Sequence, residues 1–231
     1  MKRRQFSSIC VTPFLAACVG HAHAMGFADI SGAEASKGLK AALEKGVLAA
    51  INSLGAKDGF LGNEKVRIPL PRFLDDAAKL MRTFGQGSKV DELVTAMNRG
   101  AEAAMPQAKD LLAKAVQAMT VADAKSILGG GATAVTEFFE KRTRPQLATR
   151  FLPIVTHATN QVDLATKFNE VAGKAADLSL VKKEDANIQK YVTDKALDGL
   201  FVMIAEEEKK IRENPTSYGS AILSKVFGAL R

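Results

Sequence analysis

One segment near the C-terminal end of the chain, residues 188–213, constrains the fold more than any other. From Ala196 to Ala205 this segment is apolar on nearly every side, and a helix of that kind must be buried on most of its faces. Asn187 stands where such a helix would begin, and Pro215 marks its end because proline disfavours helix for the residue before it. The pattern therefore predicts a buried central helix near 188–213.

Glycine and proline divide the remaining sequence into further helical stretches. It is rich in Ala, Leu, Lys and Glu and has few runs that alternate apolar with polar residues, which is typical of helices. We therefore predict an all-α fold, a single-domain helical bundle of about seven to nine helices. The first expected helix runs from about Ser31 to Gly55, and the second from Pro71 to Gly85, after a loop over 57–71 in which the residues 68–71 must be extended. A third begins near Ser88, with Pro106 either kinking it or dividing it from the next segment. The remaining ones run from Thr120 to the glycines 129–131, from there to a break near Thr143 and Pro145, over 147–155, over 164–176 and over 222–230.

The first 24 residues have the pattern of an export leader. A basic start that ends at Arg4 precedes an uncharged run over 5–20, and Ala22 and Ala24 form an Ala-x-Ala cleavage pattern. The run of about 16 residues is shorter than the roughly 20 that a membrane-spanning helix needs. We predict a signal peptide over 1–24, a short linker over 25–30, one all-α domain over 31–231, and a periplasmic or otherwise exported protein. Export by the general and by the twin-arginine route are both consistent with the leader.

The leader contains a second processing signal. Leu15, Ala16, Ala17 and Cys18 match the bacterial lipoprotein box, in which the cysteine is acylated and becomes the first residue. In this alternative the protein is lipid-anchored in the bacterial envelope, and membrane contact is expected only if Cys18 is lipidated. Both cysteines and two of the three histidines lie within the leader. Cleavage after Ala24 would leave no thiol and one imidazole, which excludes most metal-centred and nucleophilic mechanisms.

The charge of the chain does not favour nucleic acid as a partner. The whole chain has a net charge of +7; without the three basic residues of the leader, 29 basic and 25 acidic side chains remain, a balance of +4. These charges form no dense basic block. The chain has no Trp and only two Tyr, so it offers few surfaces on which bases could stack.

Three groups of residues carry a resemblance to a known family. They are Ile68-Pro69-Leu70-Pro71, then Met97-Asn98-Arg99 with Glu102 and Pro106, and a stretch from Tyr191 to Glu208. With these residues the chain resembles the bacterial domain-of-unknown-function 4197 family from about Ser31 to Gly228. The resemblance implies an exported helical protein, sometimes with a lipoprotein-type leader. The family has no agreed catalytic residues to transfer to this chain.

The candidate site residues in the central helix are Asp194 and Asp198. Asp198 interrupts the most apolar helix, and Asp194 lies four residues earlier on the same face. Two nearby carboxylates could bind a cation or raise one another's pKa. Alternatively, Asp198 caps a neighbouring helix or pairs with an arginine such as Arg99. An enzyme or metal-dependent site would need both carboxylates to meet Arg99 or His157 in one cleft, although an isolated histidine is more typical of a structural role.

Two further motifs have structural interpretations. The run Glu206-Glu207-Glu208 is expected at the solvated end of a helix, with pairs between Glu206 and Lys210 and between Glu208 and Arg212. Backbone N–H groups after the glycines 129–131 could cradle an anion, but a phosphate-loop pattern is absent. These glycines are therefore interpreted as a helix stop and a flexible connection, close to the basic residues Lys141, Arg142 and Arg144.

The function that fits these observations best is a non-enzymatic binding or interaction module of the cell envelope. We predict no catalytic residue, no metal and no cofactor. The expected partner is an envelope protein or an apolar small molecule held between helices, because Met, Leu and Phe form helical stripes without a readable catalytic set. A packed interior without a cleft of about 300 Å³ would argue against the small molecule.

Overall fold

Eight α-helices make up most of the residues that the computed structural model describes, namely 32–177 and 186–214. Within these ranges there is no strand, so the predicted all-α bundle is confirmed. The predicted leader, the linker and the helix over 222–230 lie outside the described residues. The helices are α1 (Gly32–Gly55), α2 (Asp75–Thr83), α3 (Gly87–Ala104), α4 (Ala108–Gln117), α5 (Val121–Gly129), α6 (Ala134–Thr159), α7 (Asp163–Asp177) and α8 (Ile188–Glu213), with short 3-10 turns at Arg72–Leu74 and Met105–Gln107.

The predicted central helix is α8. It packs against α6, α1, α3 and α7, and Val192, Ala196, Leu197 and Leu200 are completely enclosed. The side chain of Asn187 caps its start by accepting a hydrogen bond from the N–H of Lys190 at 2.9 Å. Apart from Val90, the buried apolar side chains of the described ranges form one continuous cluster around α8 and α6.

Helix α6 shares the centre of the fold, and here the sequence prediction of a break is wrong. The helix continues from Ala134 to Thr159 through both Pro145 and Pro153. A proline inside a helix removes one hydrogen bond and disfavours the helix by about 3 kcal/mol. On either side of Pro145, however, Phe139 and Leu147 are completely buried against neighbouring helices. Burial of one continuous apolar face outweighs the local penalty.

Local signals fix several other helix ends where the sequence placed them. Helix α1 ends at Gly55, and the 3-10 turn at Pro106 separates α3 from α4. Thr120 and Asp123 form the expected capping box at the start of α5: the N–H of Asp123 donates to Thr120 Oγ1, and the N–H of Thr120 donates to the Asp123 carboxylate. In the described part of the chain, every helix is too short or too polar to cross a membrane.

Candidate functional site

The loop between α1 and α2 is fixed to α3 by a buried asparagine. The side-chain amide of Asn98 accepts a hydrogen bond from the N–H of Ile68 and donates one to its carbonyl, both at 2.9 Å. This pairing copies the two hydrogen bonds of a strand pair and holds Ile68 in the core. The hydroxyl of Tyr191 on α8 donates to the carbonyl of Pro69 at 3.2 Å. The Ile68-Pro69 backbone is therefore anchored from two helices.

A buried glutamate holds the first part of the same loop. One carboxylate oxygen of Glu102 accepts the N–H groups of Phe60 and Leu61 at 3.0 and 3.1 Å. The other oxygen lies 2.6 Å from the guanidinium of Arg99, which also contacts Asp58 at 2.7 Å. Hydrogen bonds from Arg99 to Glu102 and then to Asp58 raise the pKa of Arg99. Glu102 and Asp58 therefore pair with Arg99, and together these residues hold the loop.

The loop also depends on a glycine of the central helix. A Cβ atom at Gly199 would lie 2.7 Å from the ring of Phe60 and 3.2 Å from Cβ of Val66. Phe60 is completely buried, and only a residue without a side chain lets its ring approach α8 so closely. Gly199 therefore allows the loop to pack on the centre of the fold.

Beyond this anchored loop, α2 lies over an apolar cleft. No residue of α2 is buried, although α2 and the turn before it carry an apolar stripe, Leu74, Ala77, Ala78 and Met81. The stripe faces α3 and α7 across a cleft of about 190 Å³. We call this cleft the α2 groove. Its other lining residues are Leu70, Val90, Leu93, Leu164, Lys167 and Phe168.

A second cleft, of about 300 Å³, lies on the other side of α2 and shares Leu70 and Ala78 with the α2 groove. Arg82 of α2 lines this cleft, and its guanidinium lies 2.6 Å from the carboxylate of Asp91 on α3. This hydrogen bond lowers the pKa of Asp91 and raises that of Arg82. At the end of α2, Leu80 is 58% exposed and Phe84 72% exposed. The remaining lining residues of this second cleft are Arg67, Pro69, Asp75, Lys79 and Val94.

The residues that anchor the loop belong to the motifs in which the sequence resembles a known family. A comparison of the chain with protein-family models finds the same family. The family model described as Protein of unknown function (DUF4197) matches residues 29–228, which is most of the chain. The chain belongs to this family. Comparison of this DUF4197 protein with curated proteins and with solved structures found no match. In its fold, Ile68, Asn98, Glu102 and Tyr191 meet around one loop that leads into α2.

The predicted site residues of this DUF4197 protein do not meet in one cleft. Asp198 is 44% exposed, and its arginine partner is Arg144 of α6 at 2.6 Å, not Arg99. Lys195 lies 3.2 Å from its second oxygen. Burial opposes the charge of Arg144, yet hydrogen bonding to Asp198 and the charges of Asp198, Glu140 and Asp194 raise the pKa of Arg144. Asp198 thus forms a surface ion-pair cluster with Arg144 and Lys195. Asp194 contributes to it only through its charge, and the sequence did not indicate Arg144 as the partner.

His157 stands apart from that cluster. It is exposed near the end of α6, and its Nε2 lies 3.5 Å from the side-chain amide of Gln161. Across the described ranges, no group of three or more His, Cys, Asp or Glu residues is placed to hold a metal ion. Asp194, Asp198 and His157 line neither the α2 groove nor the second cleft beside α2.

The acidic run of α8 is less solvated than the sequence indicated. Glu207 and Glu208 are buried. The predicted pair of Glu208 with Arg212 is confirmed at 2.7 Å. The pair of Glu206 with Lys210 is wrong: Lys210 binds Glu207 at 2.6 Å, and Glu206 binds Lys65 of the α1–α2 loop at 2.9 Å. Packing of the loop against α8 brings Lys65 within reach of Glu206.

The anion cradle suggested by the glycine run is filled by the protein itself. The carboxylate of Glu208 accepts the N–H groups of Val135 and Thr136, both at 3.2 Å, at the N-terminus of α6. A cleft of about 600 Å³ lies beside this helix start. There the guanidinium of Arg142 lies 4.3 Å from the ring centre of Phe138 and 2.9 Å from Asp123. The basic patch predicted here is partly neutralised by its own neighbours.

One of the anchoring residues, Asn98, could be recognised in the sequence as a polar residue that becomes buried. Asn98 lies four residues after Val94 and one after the buried Met97, so it is a polar residue on the apolar face of an amphipathic helix. A buried polar side chain must find a partner. The sequence could thus indicate that Asn98 holds something, but not that it holds Ile68.

Proposed function

We propose that this protein is an exported, non-enzymatic interaction module that binds an amphipathic segment of an envelope protein at the α2 groove. The proposal depends on the apolar stripe of α2. This stripe lies over an apolar cleft, and no residue of α2 is buried. An apolar helix face beside a groove is a common way to recognise another helix. The leader over 1–24 supports export.

The size of the α2 groove favours a protein segment over an apolar small molecule at this place. The second cleft beside α2 and the cleft at the start of α6 do reach about 300 and 600 Å³, but charged side chains line both of them. The volume of the α2 groove, about 190 Å³, is below the range of roughly 300–1,000 Å³ that is usual for small-molecule sites. A helical segment needs less enclosed space, because it inserts only the apolar side chains of one face. A groove of this size therefore suits one or two anchoring side chains.

The charges around α2 favour a segment with acidic flanks. The two clefts beside α2 are lined by four basic side chains, and Asp75 is the one acidic residue among the residues that line them. Lys79 and Arg82 already have carboxylate partners. Among the residues that the structure describes, neither Arg67 nor Lys167 forms an ion pair. Besides the hydrogen bond from Arg82, the charge of Arg67 does contribute to the lowered pKa of Asp91. Acidic residues flanking an apolar anchor would complement these two cations.

A catalytic or metal-dependent role for Asp194 and Asp198 has less support. Arg144 and Lys195 neutralise Asp198, whereas Arg99 is held by Glu102 and Asp58. An acid and base pair would need to share a cleft with its substrate. The ion-pair cluster around Arg144 instead resembles an ordinary connection between two helices.

Site-specific photo-crosslinking tests the proposed partner. A photoreactive phenylalanine analogue is placed at Leu164, on the α7 wall of the α2 groove, and a control probe is placed at Leu152, an exposed apolar residue of α6. In the cells that produce the protein, we expect an adduct from position 164 and none from position 152. Mass spectrometry of the adduct should identify an amphipathic segment with acidic flanks, and Lys167→Glu should reduce its yield. No adduct, equal adducts at both positions, or a lipid adduct would contradict the proposal.

The mass of the N-terminal peptide tests export separately. Cleavage before Met25 is the expected result. An acylated Cys18 as first residue would support the lipid-anchored alternative, in which the module acts at a membrane surface. A chain that still begins at Met1 in producing cells would contradict export.

A further inference from the structure

We infer that α2 is a displaceable lid, and that a helical ligand takes the place that the apolar stripe of α2 holds in the closed form. The inference rests on the proposed function for the nature of the ligand, but the motion of α2 itself does not depend on it. Three observations support the lid: the weak attachment of α2, the position of its ends, and the shape of the space beneath it.

The attachment of α2 to the rest of the fold is weak. None of its residues is buried, whereas Val90, Leu93 and Met97 of the neighbouring α3 are almost fully enclosed. Its ion pair to α3, between Arg82 and Asp91, is exposed on both sides. Segments with few buried apolar contacts open at a small fraction of the global unfolding free energy.

Helix α2 lies between an anchored segment and a glycine that can act as a hinge. On the N-terminal side, Ile68 and Pro69 are held by Asn98 and Tyr191, so movement of the lid must begin after them. On the C-terminal side, Gly85 has φ of +75° and no atoms within 4 Å of the place where a Cβ would lie. A glycine in open space can change its backbone angles without a clash. Helix α2 is thus a short rigid element between an anchor and a hinge.

Displacement of α2 would join the two clefts beside it. The α2 groove and the second cleft share Leu70 and Ala78, and α2 is the element that divides them. An open lid would expose Val90 and Leu93, each 1% exposed in the closed form. A helical ligand with apolar residues at the spacing of Leu74, Ala77 and Met81 would then cover the same surface.

Thiol labelling measures the opening without any ligand. The full chain carries Cys10→Ser and Cys18→Ser, so that Val90→Cys supplies the single thiol. Val116→Cys in α4, at a completely buried position, is the matched control. Because local opening needs less free energy than global unfolding, we expect labelling at 90 to be at least about 10-fold faster than at 116. Equal rates at the two positions would overturn the inference.

Two variants then change the lid itself. Ala77→Leu adds apolar volume to the α2 groove and should slow labelling at 90, whereas Thr83→Leu adds it outside the lining and should not. Arg82→Ala removes the exposed ion pair and should accelerate labelling at 90 about two- to five-fold. Neither variant should change labelling at 116. Labelling at 90 that does not respond to Ala77→Leu would contradict the lid.

Hydrogen exchange of the unaltered chain covers the case in which a cysteine variant fails to fold. Peptides over 75–84 should exchange faster than peptides over 97–104 of α3, and equal protection would refute the inference. The outcomes of labelling and crosslinking are separable. A mobile α2 without a crosslinked partner would contradict the proposed function and leave the lid supported, whereas a crosslink to an immobile α2 would do the reverse.

Discussion

Two buried glutamates, Glu102 and Glu208, perform the same structural task at different places in the fold. Each accepts two backbone N–H groups from a distant segment, and each is neutralised by an arginine one helical turn away. A buried charge is tolerated only when it is paired and hydrogen-bonded. These carboxylates therefore connect elements that the apolar core alone would not hold in register.

Replacement of Glu102 by alanine tests this task. Glu102→Ala leaves the N–H groups of Phe60 and Leu61 without acceptors, and the free energy of unfolding should fall by roughly 2–4 kcal/mol, since each buried unsatisfied donor costs about 1–3 kcal/mol. Urea denaturation followed by circular dichroism measures the change. Asp58→Asn is the control: it removes the charge of a half-exposed partner of Arg99, and asparagine tolerates the positive φ of 65° at this position. It should have a much smaller effect. Equal losses would show that Arg99, and not the loop, is the important partner.

The capping box of α5 makes a prediction about acid stability. Hydrogen bonds from the backbone and then the hydroxyl of Thr120, together with Arg142, lower the pKa of Asp123. A carboxyl with a lowered folded pKa stabilises the fold fully above its unfolded value of about 3.9. This contribution disappears as the pH falls from there through the folded pKa. Asp123→Asn should therefore reduce stability at pH 6 more than at pH 2.5, as measured by urea denaturation, and an equal loss at both pH values would contradict the assignment.

At the scale of the element, glycine allows another segment to pack closely against a helix, because it has no Cβ atom. Gly199→Ala would place Cβ 2.7 Å from the Phe60 ring, and overpacking of this kind destabilises by about 1–3 kcal/mol. Gly129→Ala, in α5 with open space around it, is the matched control. It should stabilise by up to about 1 kcal/mol, because alanine favours helix over glycine. Thermal denaturation of both variants checks the opposite signs; a neutral Gly199→Ala would show that the loop is free to shift.

Helices α2 and α6 depart from their local signals in opposite directions. Helix α6 passes through two prolines because burial on both sides holds it together. Helix α2 has a strongly two-sided sequence, yet its apolar stripe is left only partly covered. The spacing of apolar residues predicts which face of a helix is apolar. Whether that face is buried depends on the elements that pack against it.

At the scale of the whole molecule, a substitution should lower the free energy of unfolding more, the closer it lies to the centre formed by α6 and α8. Leu200→Ala removes a completely buried side chain of α8 and should lower the free energy of unfolding by about 2–5 kcal/mol. Leu80→Ala, on the exposed side of α2, should change it by less than about 0.5 kcal/mol. Chemical denaturation gives both values. A small loss at Leu200 would mean that α8 is not central, whereas a large loss at Leu80 would mean that α2 is firmly packed.

The sequence alone determined the features that depend on neighbours within a few residues. The central helix near 188–213, the end of α1 at Gly55 and the cap at Thr120 follow from apolar spacing, glycine and side-chain hydrogen bonds to nearby backbone. The family resemblance, too, was readable from short motifs. The candidate site was not, because Asp194 and Asp198 were selected from their own helix, while Arg144, the partner of Asp198, lies 54 positions away.

Only the tertiary structure decided which polar side chains are buried and which apolar stripe stays open. Glu102 meets Phe60 across 42 positions of sequence, and Glu208 meets Val135 across 73. The identity of a glutamate gives no information about such distant partners. Burial is a property of the packed elements together, so the roles of Glu102, Glu208 and the α2 groove emerge only when the helices are assembled.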